Sequence, residues 1–488
     1  MPLTTAVRRA VPPRAGKVIP MPLILAIGAV YFLSMLAVFI RTRVDPGTQM
    51  VAWPIGVIVL AAAGLVLVIH WRDRSPSYFE VGVLYAGIVA LYGAYPPLIA
   101  ALNRFQFPAT TDGRFSSAQP SAAEMASITW WYAIYLVAFC AAYLLVRPRH
   151  STRREPVHPP GRALIIAAVL LLLVSKLFFL VLAMFYNLRA GSYSEQYILV
   201  RSLPLVLRQL ANVFEGMSVS LQIIILAALF CYYHRTKWII VIFVAALGGF
   251  VVMARGGRTE LFVVVLAALQ LRDQLVRRIP AKVIAIVAVA GFALYMMMGI
   301  LRQDDRQFRM LHVEEITAGY TDFEGIFANA YDLKYILNIS GAFRGQPALL
   351  FADIAAVIPQ QFLPFAKTSA SYWYVTTYYP ISFAEGGGMA FGVVSEAIVG
   401  YGWVEMLLRG TFVGVLLALL HRRFVNGSVG VMFLALYVWM TVSSYQMCRN
   451  TTLSIISMSL YRFVPAVVAT LLLAAAFRRG RSRLFAFR

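Results

Sequence analysis

Apolar residues in this chain fall in long runs, not in the alternation of half-buried strands or the one-sided stripe of a surface helix. Runs near 20–40, 51–70, 79–102, 128–146, 162–185, 217–233, 238–254, 259–271, 282–300, 403–420, 428–447 and 453–477 approach or reach the about 20 residues that cross a bilayer. The pattern predicts an all-α polytopic membrane protein of twelve transmembrane helices, with no soluble domain of ordinary size between them. One polar interval, 301–388, breaks the pattern. It opens on LRQDDRQFRMLHVEE, passes through IPQQFLPFAK and SYWYVTTYYP, and closes on AEGGGMAFG, carrying nine of the chain's twenty-one acidic residues. The expected organisation is helices one to nine in 1–300, a large loop at 301–388, a short helix and the last three spans in 389–477, and a basic tail at 478–488.

Composition agrees: 60% of residues are apolar and 13% charged, against roughly 25% charged in soluble domains, and the mean hydropathy is +0.74. The net charge of +22 would suggest nucleic acid until it is located. With the N-terminus inside, the inner loops and termini hold twenty-four Lys and Arg against Asp73, Glu155 and Asp273 alone. That is the positive-inside rule, and it excludes a nucleic-acid partner. Both termini are expected in the cytoplasm and 301–388 outside it. The basic N-terminus runs into its apolar stretch without a small-residue cleavage site, as an uncleaved anchor does. Cys140, Cys231 and Cys448 lie in or at apolar spans and read as packing residues.

Cations collect at the predicted outer side. Arg255 and Arg258 flank two glycines just before a helix that Thr259 can cap, an arrangement suited to phosphate oxygens. The run after them, 259–271, is about 20 Å long at 1.5 Å per residue, short of a hydrocarbon core near 30 Å. Either the helix extends into RDQLVRR or the arginines lie in a funnel. Arg302, Arg306 and Arg309 share one helical face, with Asp305 placed to pair with Arg309. His312 is the one histidine of six outside the inner side and is suited to take a proton near neutral pH. Glu314, Glu315, Asp322 and Glu324 are rival bases. Tyr372, Trp373, Tyr374, Tyr378 and Tyr379 can form platforms for sugar faces or float the loop at headgroup level. Trp130, Trp131, Tyr132 and Tyr135 read as an interfacial belt, and 186–216, with Arg201 and Arg208, as a helix in the interface or on a surface. Lys176, deep in its span, is either functional or snorkelling. The stretch 389–420 is too long for one span; a break at Gly400 and Gly402 would leave Glu396 in a short outer or re-entrant helix. Glu405 and Arg409 are spaced for a mutual pair. Arg449 and Arg462 are further cations near or below the outer face.

The G-x-R at the outer end of a helix, the large loop before the last three spans, IPQQFLPFAK and GGGMAFGVVSEAIVGYGWVEMLLRG together resemble the bacterial O-antigen polymerases, also called oligosaccharide repeat unit polymerases. The resemblance covers roughly 238–477. Members usually carry lysine-proline where this chain has Lys367 and Thr368. It implies a GT-C-like integral-membrane glycosyltransferase, similar in architecture to O-antigen ligases, in a bacterial inner membrane with its active site facing the periplasm. The substrate would be a polyprenyl diphosphate-linked oligosaccharide. Arg258 would contact the diphosphate with Arg255, Arg302, Arg306, Arg309 and Arg449 around it; His312, Glu315 and Glu396 would serve catalysis, and Tyr372, Trp373, Tyr374 and Tyr378 the sugars. The implied partners are membrane lipid, a chain-length regulator of the polysaccharide co-polymerase kind and a flippase; no cofactor, nucleotide or metal is expected. A ligase with a lipid A-core acceptor and a flippase or secondary transporter are the alternatives. A dolichol-type mannosyltransferase is disfavoured, because its acidic pair lies in a large first outer loop and here that loop is about RTRVDPGTQ.

Overall fold

The computed structural model describes residues 47–73, 77–102, 119–148, 161–186, 202–232, 258–280, 322–359, 362–384, 389–427 and 429–486, with isolated positions between 240 and 291. The elements among them are helices. Five long ones come first: α1 (Gly47–Arg72), α2 (Val81–Leu102), α3 (Ala122–Val146), α4 (Arg162–Phe185) and α5 (Leu205–Tyr232). Then come α6 (Arg258–Leu271) with a π-helical turn at Arg272–Val276, and α7 (Asp322–Tyr331) with another at Asp332–Ile336. Short helices follow: α8 (Pro347–Leu350), α9 (Ala352–Val357), α10 (Ala370–Tyr378), α11 (Pro380–Ala384) and α12 (Val393–Val399). The last part is α13 (Trp403–Asn426), α14 (Val431–Val442), α15 (Tyr445–Arg449), α16 (Ser454–Met458), a π turn at Ser459–Phe463 and α17 (Val464–Ala486).

Among the described residues, eight stretches are long and apolar enough to cross a membrane: five in α1 to α5, one in α13, one over α14 and α15, and one over α16 and α17. They coincide with eight of the predicted runs; those near 20–40, 238–254 and 282–300 lie largely outside the described residues. At 259–271 the helix does extend. The fourteen residues of α6 continue into the five of the π turn, roughly 28 Å in all. Asp273 in that turn anchors it, accepting from Ser77 Oγ (2.5 Å), Arg278 Nη1 (2.8 Å) and the Ile279 N–H (2.7 Å). The expected interfacial helix is corrected from Leu205 onward: that part belongs to one continuous 28-residue helix. Pro204 stands just before its start, where a missing N–H costs nothing, and no proline interrupts it.

The core is built on α3, whose start carries a capping box of Ser121 and Glu124. Tyr132, Tyr135, Phe139 and Tyr143 recur every three or four residues on one face and are fully buried. The predicted aromatic belt therefore shrinks, because Tyr132 and Tyr135 belong to this core face; Trp130 stays exposed. Against that face lies α13. A Cβ on Gly410 would overlap the Tyr135 carbonyl oxygen, and one on Gly414 would stand 2.6 Å from that of Phe139. The two backbones touch through this pair of small residues. The register, 410 beside 135 and 414 beside 139, makes the helices parallel.

At the C-terminal ends of α3 and α13 the core closes on a knot of charge. Arg147 donates to Asp73 and to both oxygens of Glu80, through Nε at 2.5 Å and Nη2 at 2.8 Å. The Tyr143 hydroxyl donates to Glu80 at 2.6 Å, and His421 lies 3.5 Å from it. Burial alone would raise the Glu80 carboxyl; His421, Arg147 and Tyr143 overcome it and hold the group below its ordinary range.

Candidate functional site

Twelve positions before His421 on α13, about 18 Å along the helix, Arg409 gathers a second cluster at the other end. The sequence break is where it was expected. Seven-residue α12 stops at Gly400, and α13 begins after Gly402, whose φ of +73° suits a residue without a Cβ. Gly400 also lies so close to the Glu405 carboxylate and the Phe343 ring that no side chain fits there. The turn thereby sets α12 and Glu396 beside the first turns of α13.

Arg409 meets Glu405 one turn back, as the spacing required, with Nε at 2.6 Å. The far end of its guanidinium does more. Nη1 donates to Glu396 Oε2 (2.8 Å), to Asp353 Oδ2 of α9 (3.0 Å) and to Thr452 Oγ1 (2.7 Å). Glu396 Oε2 also accepts from the N–H and the hydroxyl of Thr452, both at 2.9 Å. Glu405 Oε2 caps the Tyr401 N–H at 2.8 Å. Three carboxyls thus converge on one cation. Burial pushes the Glu396 carboxyl well above the usual carboxylate range; Arg409 pulls it back, and the neighbouring Asp353 pushes it up again.

A cavity of about 170 Å³ opens beside this cluster. Asp353, Glu396 and Arg409 line one part of it, Lys367, Ser369 and Phe391 another. Asp353 is 7% exposed, and its Oδ1 has no hydrogen-bond partner. Lys367 stands 3.5 Å from the Tyr461 hydroxyl and above its ring. A buried carboxyl of raised proton affinity at the wall of a cavity can take a proton from a hydroxyl, or return one. Among the described residues no group of three His, Cys, Asp or Glu is placed to hold a metal ion.

Of the residues assigned to catalysis or substrate binding in the sequence, only Glu396 enters this site, beside the Glu405–Arg409 pair. Arg255, Arg302, Arg306, Arg309, His312 and Glu315 lie outside the described residues, and Arg258 is the first residue of α6. Arg449 holds Asp322 through Nε, at 2.9 and 3.1 Å. The aromatic run divides between surface and core. Tyr372 is exposed against Phe383, and Trp373 stands edge-on to Tyr378 with its ring 7% exposed. Tyr374 is fully buried and, with Tyr379, donates its hydroxyl to buried Asp332, at 2.5 and 2.7 Å. Sequence reasoning missed Asp353 and Thr452. Asp353 did leave a signal, as the single acid in the apolar stretch PALLFADIAAVIP, where a carboxylate needs a partner. Thr452 left none.

The chain matches no family model, no curated protein and no solved structure. Its chemistry has to be read from its own residues.

Proposed function

We propose that the chain is an integral-membrane glycosyltransferase that polymerises polyprenyl diphosphate-linked oligosaccharide repeat units at the outward face of a bacterial inner membrane, into O-antigen or a related surface polysaccharide. The observation that carries the reading is the setting of Glu396: a buried carboxyl of raised proton affinity, on a helix too short to span, at the wall of a cavity. The parallel course of α3 and α13 supports the orientation, since both end at arginines assigned to the inside, Arg147 after one and Arg422 and Arg423 in the last turns of the other.

In this reaction an acceptor hydroxyl gives its proton to the carboxylate of Glu396 while its oxygen bonds to the donor's anomeric carbon. The bond from that carbon to the diphosphate oxygen breaks, the configuration inverts, and the lipid diphosphate leaves with the bonding electrons. Arg255, Arg258, Arg302, Arg306 and Arg309 are the cations assigned to the departing charge. Arg449 would join them only by exchanging Asp322. His312 and Glu315 are the alternative proton acceptors.

The test is reconstitution of the full chain in liposomes with a lipid-linked repeat unit. A ladder of products is expected, and Glu396→Gln should slow it by about 10²–10⁴-fold, the usual worth of a general base. Absence of any ladder, with repeats merely moved across the bilayer, would show a transporter instead.

A further inference from the structure

We propose that the cavity beside Glu396 seats a neutral, hydroxyl-bearing sugar ring and not the diphosphate, with Asp353 as the side chain that reads its hydroxyls. That the ring belongs to the acceptor rests on the glycosyltransferase reading; that it is a sugar rests on the cavity alone.

The donors of Arg409 are already engaged. Nε and Nη2 face Glu405, and Nη1 is shared among Asp353, Glu396 and Thr452. Among the described residues of the wall, a phosphate entering here would meet Lys367 as its further cation, and that lysine already sits on Tyr461. Facing it would stand Asp353, with Glu405 behind, so the charge of Arg409 is already answered and an anion gains little here. A hydroxyl fits better. Asp353 Oδ1 is buried and accepts no hydrogen bond, and a carboxylate oxygen can only accept. Its desolvation is offset when an O–H points at it.

Size and lining agree. About 170 Å³ is many times the roughly 10–15 Å³ that a single water needs, and leaves room for a ring. Phe343 and Phe391 offer an apolar wall for the C–H face of a ring, while Ser369 at the rim can both donate and accept.

Ser369 is exposed and lines the cavity, so a Ser369→Cys protein reports on it directly. Purified full-length protein would be treated with methanethiosulfonates of either charge, alone and with millimolar methyl hexopyranosides or inorganic pyrophosphate. The cationic reagent should react faster than the anionic one, because the unpartnered Asp353 Oδ1 lies at the cavity while the charges of Arg409 and Lys367 are already engaged. A methyl pyranoside should slow modification and pyrophosphate should not; Asp353→Asn, added to the same protein, should remove the protection and narrow the charge preference. Protection by pyrophosphate, protection by none of the pyranosides, or faster reaction of the anionic reagent overturns the proposal. Because modification needs no turnover, the two readings separate: protection without a product ladder sinks the glycosyltransferase alone, and a ladder without protection sinks the sugar cavity alone.

Discussion

The proton on Glu396 is contested by its neighbours. Desolvation favours keeping it, Arg409 opposes, and Asp353, sharing the same guanidinium nitrogen, favours it again. Since the folded state raises this proton affinity above the ordinary value of 4.5, the linked stability is complete below that value and is lost as pH rises through the elevated one. The melting temperature of the wild type, measured against Glu396→Gln in the same detergent, should therefore fall progressively as pH rises from about 4.5; a difference that grows with pH would contradict the assignment. The Glu405–Arg409 pair was legible because its partners are four residues apart. Asp353 was not, because it meets Arg409 across 56 positions, and for the same reason nothing local linked Arg449 to Asp322, 127 positions away.

Helix α13 shows what an element adds to its residues. Its small positions, Gly410 and Gly414, bring its backbone onto that of α3, while the turn at Gly400 and Gly402 sets Arg409 beside Glu396. Gly410→Ala must push the Tyr135 carbonyl away, an overpacking that should cost about 1–3 kcal/mol, read as a lower melting temperature; an unchanged value would mean the helices are further apart than described. The apolar runs foretold such helices well, since length and hydropathy suffice for a span. They did not foretell which aromatic faces are inside. Tyr132, Tyr135 and Tyr374 have the composition of a membrane-interface belt, and only their helical phase against α2, α13 and Asp332 assigns them to the core.

Over the whole molecule, the two buried charge clusters occupy opposite ends of one parallel helix pair. The Arg147 knot stands at the C-terminal ends of α3 and α13, and the Arg409 cluster stands beside the short helices α9 and α12. Impermeant thiol reagents added to intact cells should modify Ser369→Cys and spare Arg423→Cys until the membrane is opened, both positions being exposed; the reverse order would invert the charge-based orientation. The positive-inside count supplies that orientation as an expectation from the sequence, whereas the joining of four segments into one wall was beyond any local pattern.

That wall also has a history in time. Glu396 leaves the ribosome 56 residues before the threonine that completes its hydrogen bonds. At about 5–20 residues per second, several seconds separate the two. Until the final pair of crossings is inserted, a growing chain holds its carboxyls and its arginine without the residue that locks them, so a product truncated before Thr452 should be inert even with its entire loop present.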